Sequence, residues 1–353
     1  MASHPAKPAK ITPALRRDFV RDYALPIQIV DEPHFTYMLE LLDPIYQTKD
    51  KYSLFVDTVQ RLGGEGNFHI ATKAVIEQAV NAITSQPSFA TIDQAAVDAL
   101  FAGMPEGPHV PGADIYTMQY AQQTMVSIDL RSANFLALRH FNPALVGNMA
   151  TYKEFMERFT REAYFLQSKQ IRQVVFGKAN PRMQQVIEKR LTGAIMAALV
   201  APGGPTAPIP ADHLCTASAD EVVIRTSAGC PLERVAARVG QIFEAGASPV
   251  AFLRPSVRAV AFALEPIGGR KFFLRRSTMD VVNGADQVGR TEYKNIPAYH
   301  LPQAIKAATG RPVQLEDLAF LFEGQVAYFG QPLFPQAAPL ALCLVPTAPG
   351  PAQ

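Results

Sequence analysis

Acidic side chains stand at the ends of predicted β-strands, where residues from distant parts of a chain can meet. Asp129 lies near the end of the segment TMVSIDL (124–130), whose apolar and polar residues alternate as in a half-buried strand. Asp220 and Glu221 stand between two short strand-like segments, at the position expected for a hairpin turn. Two or three carboxylates at one sheet edge can hold divalent cations that assist phosphoryl or nucleotidyl transfer. These residues therefore predict a Mg²⁺ or Mn²⁺ site.

The elements that must position these carboxylates follow a defined order. The sequence predicts a strand at 124–130, helices within 132–200, strands at 213–218 and 221–226, a helix at 231–245 and a strand at 257–264. This order is βαββαβ, so we expect an α+β fold of the ferredoxin-like plan, with a helical insertion at about 142–200 in its first crossover. The first and third strands are central in that plan, which would bring Asp129 beside the hairpin.

Three segments resemble the motifs of palm-domain polymerases and nucleotidyltransferases, in the order A, B, C. SIDLRSANFLALRHF (127–141) looks like motif A, SKQIRQVVFGKANPR (168–182) resembles the motif B helix, and CTASADEVVIRT (215–226) resembles the motif C hairpin. The core of the last segment is similar both to the His-Asp-Glu-Leu-Val pattern of family A DNA polymerases and to the Ser-Asp-Glu strand end of tRNA-His guanylyltransferases. The histidine of the family A pattern is Ala219 here.

The resemblance implies a fold, a reaction and a set of site residues. The fold would be a palm with a helical insertion of the fingers type, and the reaction would be metal-dependent, template-directed nucleotidyl transfer on DNA or RNA. Asp129, Asp220 and Glu221 would be catalytic and bind Mg²⁺ or Mn²⁺.

The resemblance also implies residues that contact the nucleoside triphosphate. Arg172 and Lys178 would neutralise the triphosphate, and Phe176 would stack on the nucleotide. Asn134, one turn into the helix after Asp129, would contact the sugar.

Two basic clusters predict contacts with a nucleic acid. Between 152 and 190 the chain has nine basic and four acidic residues, and RKFFLRR (270–276) interleaves basic and aromatic residues. The residues predicted to bind nucleic acid are Arg182, Lys189, Arg190, Lys271, Arg275 and Arg276. A solvated helix face and an edge strand guarded by basic residues are the alternative interpretations of the two clusters.

The composition limits the classes of protein to which the chain can belong. Of 353 residues, 48% are hydrophobic, and the formal net charge is +2. These values favour a folded core and argue against a uniformly basic coat for nucleic acids. No apolar run approaches the ~20 residues of a membrane helix, so we expect no membrane partner. Three cysteines without metal-ligand spacing, and an N-terminus without an apolar signal, predict an intracellular protein, cytoplasmic or nuclear and not secreted.

The sequence predicts four regions. We expect a disordered tail at 1–16, an N-terminal helical region at 17–112, a palm core at 113–265 that includes the insertion, and a C-terminal extension at 266–353. The first clear boundary is the loop at 103–111, which is rich in proline and glycine.

Two functions are compatible with this organisation. The first is a nucleotidyltransferase that resembles polymerases and acts on a nucleic acid. The alternative is a catalytically inactive protein of the palm fold that serves as a nucleic-acid-binding or structural component. The two hypotheses differ in whether Asp129 and Asp220 bind metal.

Overall fold

The chain folds into a mixed α+β structure, which confirms the α+β class that the sequence predicts. The computed structural model describes residues 11–334, apart from 111, 180, 182, 270 and 283–288. In this part of the chain the α-helices are α1 (Pro13–Asp22), α2 (His34–Tyr46), α3 (Thr48–Arg61), α4 (Glu65–Thr84), α5 (Gln94–Leu100), α6 (Ala133–Phe141), α7 (Tyr152–Glu157), α8 (Ala163–Gln167), α9 (Lys169–Ala179), α10 (Gln184–Val200), α11 (Leu232–Ile242) and α12 (Leu301–Thr309). The strands are β1 (Thr124–Leu130), β2 (Leu214–Ala217), β3 (Glu221–Arg225), β4 (Val257–Pro266), β5 (Phe273–Asp280), β6 (Thr291–Lys294), β7 (Ala319–Phe322) and β8 (Gln325–Tyr328).

Six of these strands form one antiparallel sheet. Their order across the sheet is β2-β3-β1-β4-β5-β6, and β7 and β8 form a separate hairpin. β1 pairs with β3 on one side and with β4 on the other, so its backbone groups have partners along both edges. The strand predicted at 124–130 is therefore a central strand, as the predicted order of elements requires.

The two faces of β1 have different surroundings. Val126, Ile128 and Leu130 face a hydrophobic core that α6, α10 and α11 complete. Ser127 and Asp129 alternate with them and point to the opposite face of the sheet, where they line a cavity. Helices thus cover one face at this end of β1, and the acidic side chain lies on the other.

A second hydrophobic core joins the N-terminal helices to the helices of the insertion. Phe19 of α1, Phe55 of α3 and Tyr164 of α8 are fully buried there. The ring centroids of Phe55 and Phe19 lie 5.5 Å apart, and those of Phe55 and Tyr164 lie 5.2 Å apart. α9 packs into the same core, so the N-terminal region fixes its position.

Within the described residues, none of the helices combines the length and hydrophobicity that crossing a membrane requires.

Two predicted boundaries differ from the structure. α1 begins at Pro13, inside the tail predicted at 1–16, because the Thr12 hydroxyl accepts the N–H of Leu15 and proline suits the first turn of a helix. Residues 1–10 lie outside the described residues. The boundary predicted between 265 and 266 falls within β4, which pairs with β5. The start of the predicted C-terminal extension therefore continues the sheet, since pairing with β5 satisfies the backbone of β4 along that edge.

One buried carboxylate lies in the helical core. Asp22 is 4% exposed, and its Oδ2 accepts a hydrogen bond of 2.7 Å from the Tyr164 hydroxyl. Burial raises the pKa of Asp22 to about 6, although the Tyr164 hydrogen bond and Arg21 act in the opposite direction. The folded protein therefore holds a proton on Asp22 more tightly than the unfolded chain does.

This difference predicts how stability depends on pH. The contribution of Asp22 to the free energy of unfolding is fully present below about pH 4 and is lost as the pH rises through about 6. We expect Asp22→Asn to remove this loss, and Tyr164→Phe to increase it because the ionised carboxylate loses its donor. Urea unfolding at pH 4, 5, 6 and 7 measures the effect. Two variants with the same pH dependence as the wild type would contradict the prediction.

Candidate functional site

Two carboxylates face each other across the central pair of strands. Asp129, near the end of β1, and Glu221, at the start of β3, are directly opposed in the antiparallel register. Both line the cavity on the face opposite the helices, because their neighbours Ile128 and Val222 point into the helix-covered core. The strand order thus brings together two acidic residues that the sequence predicted at one site.

The Asp129 carboxylate is half-buried and unpaired. It makes no hydrogen bond or ion pair with any residue that the structure describes. Burial raises the pKa of Asp129 to about 6, and the negative charges of Glu221 and Asp220 add to the rise. The ionised form of Asp129 is therefore held at an energetic cost that a bound cation would remove.

Glu221 is held in place by two partners. Its Oε1 accepts a hydrogen bond of 2.5 Å from the Ser127 hydroxyl and lies 3.3 Å from Nη1 of Arg275. The guanidinium of Arg275 is 3.9 Å from the centroid of the Phe262 ring, and its side chain is 8% exposed. Glu221 is thus oriented by β1 and β5 together, and its charge compensates a buried arginine.

Asp220 is not among the residues that line the cavity. It is exposed in the β2–β3 turn, where its carboxylate accepts a hydrogen bond of 2.9 Å from the Ser218 hydroxyl. Its carbonyl oxygen accepts the N–H of Leu130 at 2.8 Å, which extends the β1–β3 pairing by one residue. Asp220 is close enough to raise the pKa of Asp129, but Glu221 is the residue directly opposite Asp129.

The carboxylates offer a partial set of ligands for a divalent cation. In the part of the chain that the structure describes, no group of three or more His, Cys, Asp or Glu residues has the arrangement of a complete metal site. Mg²⁺ commonly takes one or two carboxylates from the protein and completes its shell with water and substrate phosphates. Asp129 and Glu221 fit that donor set, because the Asp129 carboxylate has no protein partner in the described residues and Glu221 is fixed beside it.

Residues predicted to contact a nucleotide lie partly near this site. Nη1 of Arg172 on α9 is 3.5 Å from the hydroxyl of Ser132, just beyond the end of β1, so the predicted motif B helix reaches the predicted motif A. Asn134 is half-buried in the first turn of α6, and Lys178 is exposed near the end of α9.

The predicted role of Phe176 is wrong. Phe176 is 2% exposed, and it lies in the helical core with its ring centroid 6.1 Å from that of Tyr152. It has no free face on which a base could stack. The apolar face of α9 buries this side chain against the N-terminal helices, so Phe176 stabilises α9 rather than binding a nucleotide.

The residues predicted to bind nucleic acid have different environments. Lys189 and Lys271 are exposed, whereas Arg190 pairs with Asp98 and Glu106 and Arg276 pairs with Glu265. The prediction for Arg275 is wrong, because it is 7% exposed and paired with Glu221. Arg182 lies outside the described residues.

Four polar residues of the cavity were not expected from the sequence: Ser127, Arg258, Glu292 and Lys294. The strand alternation already contained a signal for Ser127, since it lies two residues before Asp129 and therefore on the same face. The other three depend on the pairing of β4, β5 and β6, which no local pattern fixes.

The charges of the cavity suit a ligand that carries both a cation and anionic groups. The Asp129 carboxylate, which has no partner in the described residues, would attract the cation, and the basic side chains would attract the anionic groups. Comparison with protein-family models, curated proteins and solved structures finds no match for this chain. The geometry of the cavity is therefore the basis for inferring a function.

The two opposed carboxylates are expected to have opposite effects on stability. At pH 8, Asp129→Asn should stabilise the protein by up to about 3 kcal/mol, because each unit of its pKa shift corresponds to about 1.4 kcal/mol. Glu221→Gln should destabilise it by about 1–3 kcal/mol, because Arg275 stays buried but loses its ion pair with Glu221. Chemical unfolding at pH 8 measures both changes.

Repeating the measurement at pH 4 provides the control. The gain from Asp129→Asn should disappear there, because the wild-type carboxyl is protonated in the folded protein. Equal signs for the two variants at pH 8 would show that the charges are not distributed as described.

Proposed function

We propose that this protein is a palm-type nucleotidyltransferase that uses Mg²⁺ or Mn²⁺ to add nucleotides to a nucleic acid, directed by a template. The observation that carries the proposal is the pair Asp129 and Glu221, opposed across two central strands with the Asp129 carboxylate unpaired in the described structure. A carboxylate held charged at a cost in a polar cavity is typical of a site that binds a cation.

The topology of the sheet supports this proposal. The order β2-β3-β1-β4 puts the first and third strands of the predicted βαββαβ plan in the centre of the sheet. Helices α7 to α10 lie between β1 and β2, where a fingers-type insertion would lie. We infer a ferredoxin-like palm, to which β5 and β6 add two further strands.

The roles of the acidic residues follow from their positions. Asp129 and Glu221 would hold the metal, with Asp220 in the adjacent β2–β3 turn. When bound, the metal supplies positive charge that favours the attacking hydroxyl and the departing diphosphate. In the transfer, the oxygen of a terminal hydroxyl bonds to the α-phosphorus and gives up its proton to solvent, and the bond to the diphosphate oxygen breaks with its electron pair leaving on the diphosphate. The fixed carboxylate of Glu221, held by Ser127 and Arg275, keeps the site from rearranging.

The nucleotide would bind between the end of β1 and α9. Arg172 already reaches the start of α6, where its guanidinium lies 5.9 Å from the ring centroid of Tyr152. This position suits a contact with the triphosphate, and Asn134 lies two residues beyond Ser132 in the same turn. Lys178, farther along α9, suits a contact with a nucleic-acid backbone or with the outermost phosphate.

A second candidate function is a catalytically inactive palm protein that binds nucleic acid or has a structural role. The observation that favours it is the engagement of Glu221 by Ser127 and Arg275, which leaves Asp129 as the one carboxylate without a partner among the described residues of the cavity wall. The exposed Lys189 and Lys271 would then be retained for binding alone.

Metal dependence separates the two candidates. We expect Mn²⁺ to raise the melting temperature of the wild type at pH 8 and to leave that of Asp129→Asn unchanged. Incorporation of a labelled nucleotide into a primed oligonucleotide should fall by about a hundredfold or more in Asp129→Asn and in Asp220→Asn. A wild type that binds an oligonucleotide but shows neither metal response nor incorporation would support the inactive candidate.

Arg172 gives an independent test of where the nucleotide binds. Arg172→Ala should weaken binding of a nucleoside triphosphate by about tenfold and lower the log–log dependence of affinity on salt by about one unit. Arg190→Ala is the matched control, because Arg190 lies in the following helix and is engaged by Asp98 and Glu106. Equal losses in both variants would show that the effect is general electrostatics and would reject a specific role for Arg172.

A further inference from the structure

The cavity beside Asp129 is lined almost entirely by charged side chains. Its volume is about 150 Å³, and its wall carries three carboxylates and three basic groups, namely Asp129, Glu221, Glu292, Arg258, Arg275 and Lys294. Ser127 and Val260 complete the lining. An apolar ligand would find little surface here, whereas a small charged ligand would find partners of both signs.

Two of the three basic groups are already engaged. Arg275 pairs with Glu221 at 3.3 Å, and Nζ of Lys294 lies 3.1 Å from Oε2 of Glu292. Burial disfavours the ionised form of Glu292, but the positive charges of Lys294 and Arg275 outweigh it and hold the pKa of Glu292 below its usual value. Within each pair the two charges neutralise each other, so neither pair gives the cavity a strong preference for an added ion.

Arg258 and Asp129 are the groups left over. They are directly opposed in the register of β4 and β1, yet the distance between their charged ends exceeds that of an ion pair. Among the described residues, no side chain or backbone group hydrogen-bonds to the guanidinium of Arg258. Burial lowers the pKa of Arg258 and raises that of Asp129, so each group bears its charge at a cost.

We propose that Arg258 binds the diphosphate portion of a metal-bound phosphorylated ligand whose cation is held by Asp129. A guanidinium and a carboxylate on one wall, both without partners among the described residues, are complementary to a ligand that carries both an anion and a cation. The planar guanidinium matches pairs of phosphate oxygens, so a diphosphate can satisfy it through two hydrogen bonds. This inference rests on the proposed function and adds to it the residue that receives the diphosphate.

The position of Arg258 also suits the chemistry. It lies across β1 from Glu221, so Asp129 stands between the fixed carboxylate and the free guanidinium. Arg172 of α9 instead contacts Ser132, just beyond the end of β1. Of these two arginines, Arg258 is the one that lines the cavity with Asp129.

The test is calorimetric titration of the full chain with inorganic pyrophosphate at pH 7.5 in Mg²⁺. We expect Arg258→Ala to weaken binding by about tenfold or more, and Arg258→Lys to recover part of the loss because it keeps the charge but not the planar fork. Arg254→Ala is the matched control, since Arg254 is exposed in the turn before β4 and does not line the cavity. Thermal unfolding checks that each variant folds.

The outcomes distinguish this proposal from the function on which it rests. Wild-type affinity for pyrophosphate in both Arg258 variants would overturn the proposal, while a Mn²⁺ response that depends on Asp129 would leave the proposed function standing. Absence of pyrophosphate binding by the wild type would also overturn it. An Arg258-dependent affinity for a single-stranded oligonucleotide, with no such dependence for pyrophosphate, would reassign the residue to backbone phosphates. Binding that requires Mg²⁺, Asp129 and Arg258 together would support the proposal.

Discussion

The pairing of β1 on both of its edges is the constraint on which the rest of the structure depends. A strand with two neighbours has a fixed register, because a slip by one residue would exchange its faces. Such a slip would move Asp129 into the core beneath α10 and α11 and would expose Ile128. The hydrophobic effect on one face of β1 therefore determines where the carboxylate lies on the other face. Glu221 and Arg258 take their positions from the same register.

Most of the charged side chains around Asp129 form ion pairs, so the cavity wall has no large excess of positive or negative charge. Arg275 lies against the ring of Phe262 and compensates Glu221, and Lys294 compensates Glu292. Each pair lowers the cost of holding its two charges away from bulk water. What remains is a carboxylate and a guanidinium without partners in the described structure, and their separation gives the cavity its capacity for a ligand of mixed charge.

The helical core contributes to the site by positioning α9. Aromatic side chains of α1, α3 and α8 pack against one another with tilted rings and help to bury the apolar side of α9. Burial of Phe176 fixes the rotation of that helix, and Arg172, four residues earlier on it, is thereby directed toward Ser132 at the end of β1. The residue once expected to bind a base thus helps to place the arginine that approaches the site.

The sequence by itself determined the elements near the site, and the tertiary structure decided which side chains meet there. Local alternation located β1 at 124–130 as observed, and the order of elements correctly implied that β1 and β3 are neighbours. Local patterns could not show that β5 and β6 extend the sheet, because pairing between distant strands depends on the whole fold. For the same reason Arg275 reads as part of a basic cluster, yet it is buried beside Glu221. Arg258 belongs to no sequence motif. Its proposed role follows only from its position opposite Asp129, because the tertiary structure decides which residues face each other on neighbouring strands.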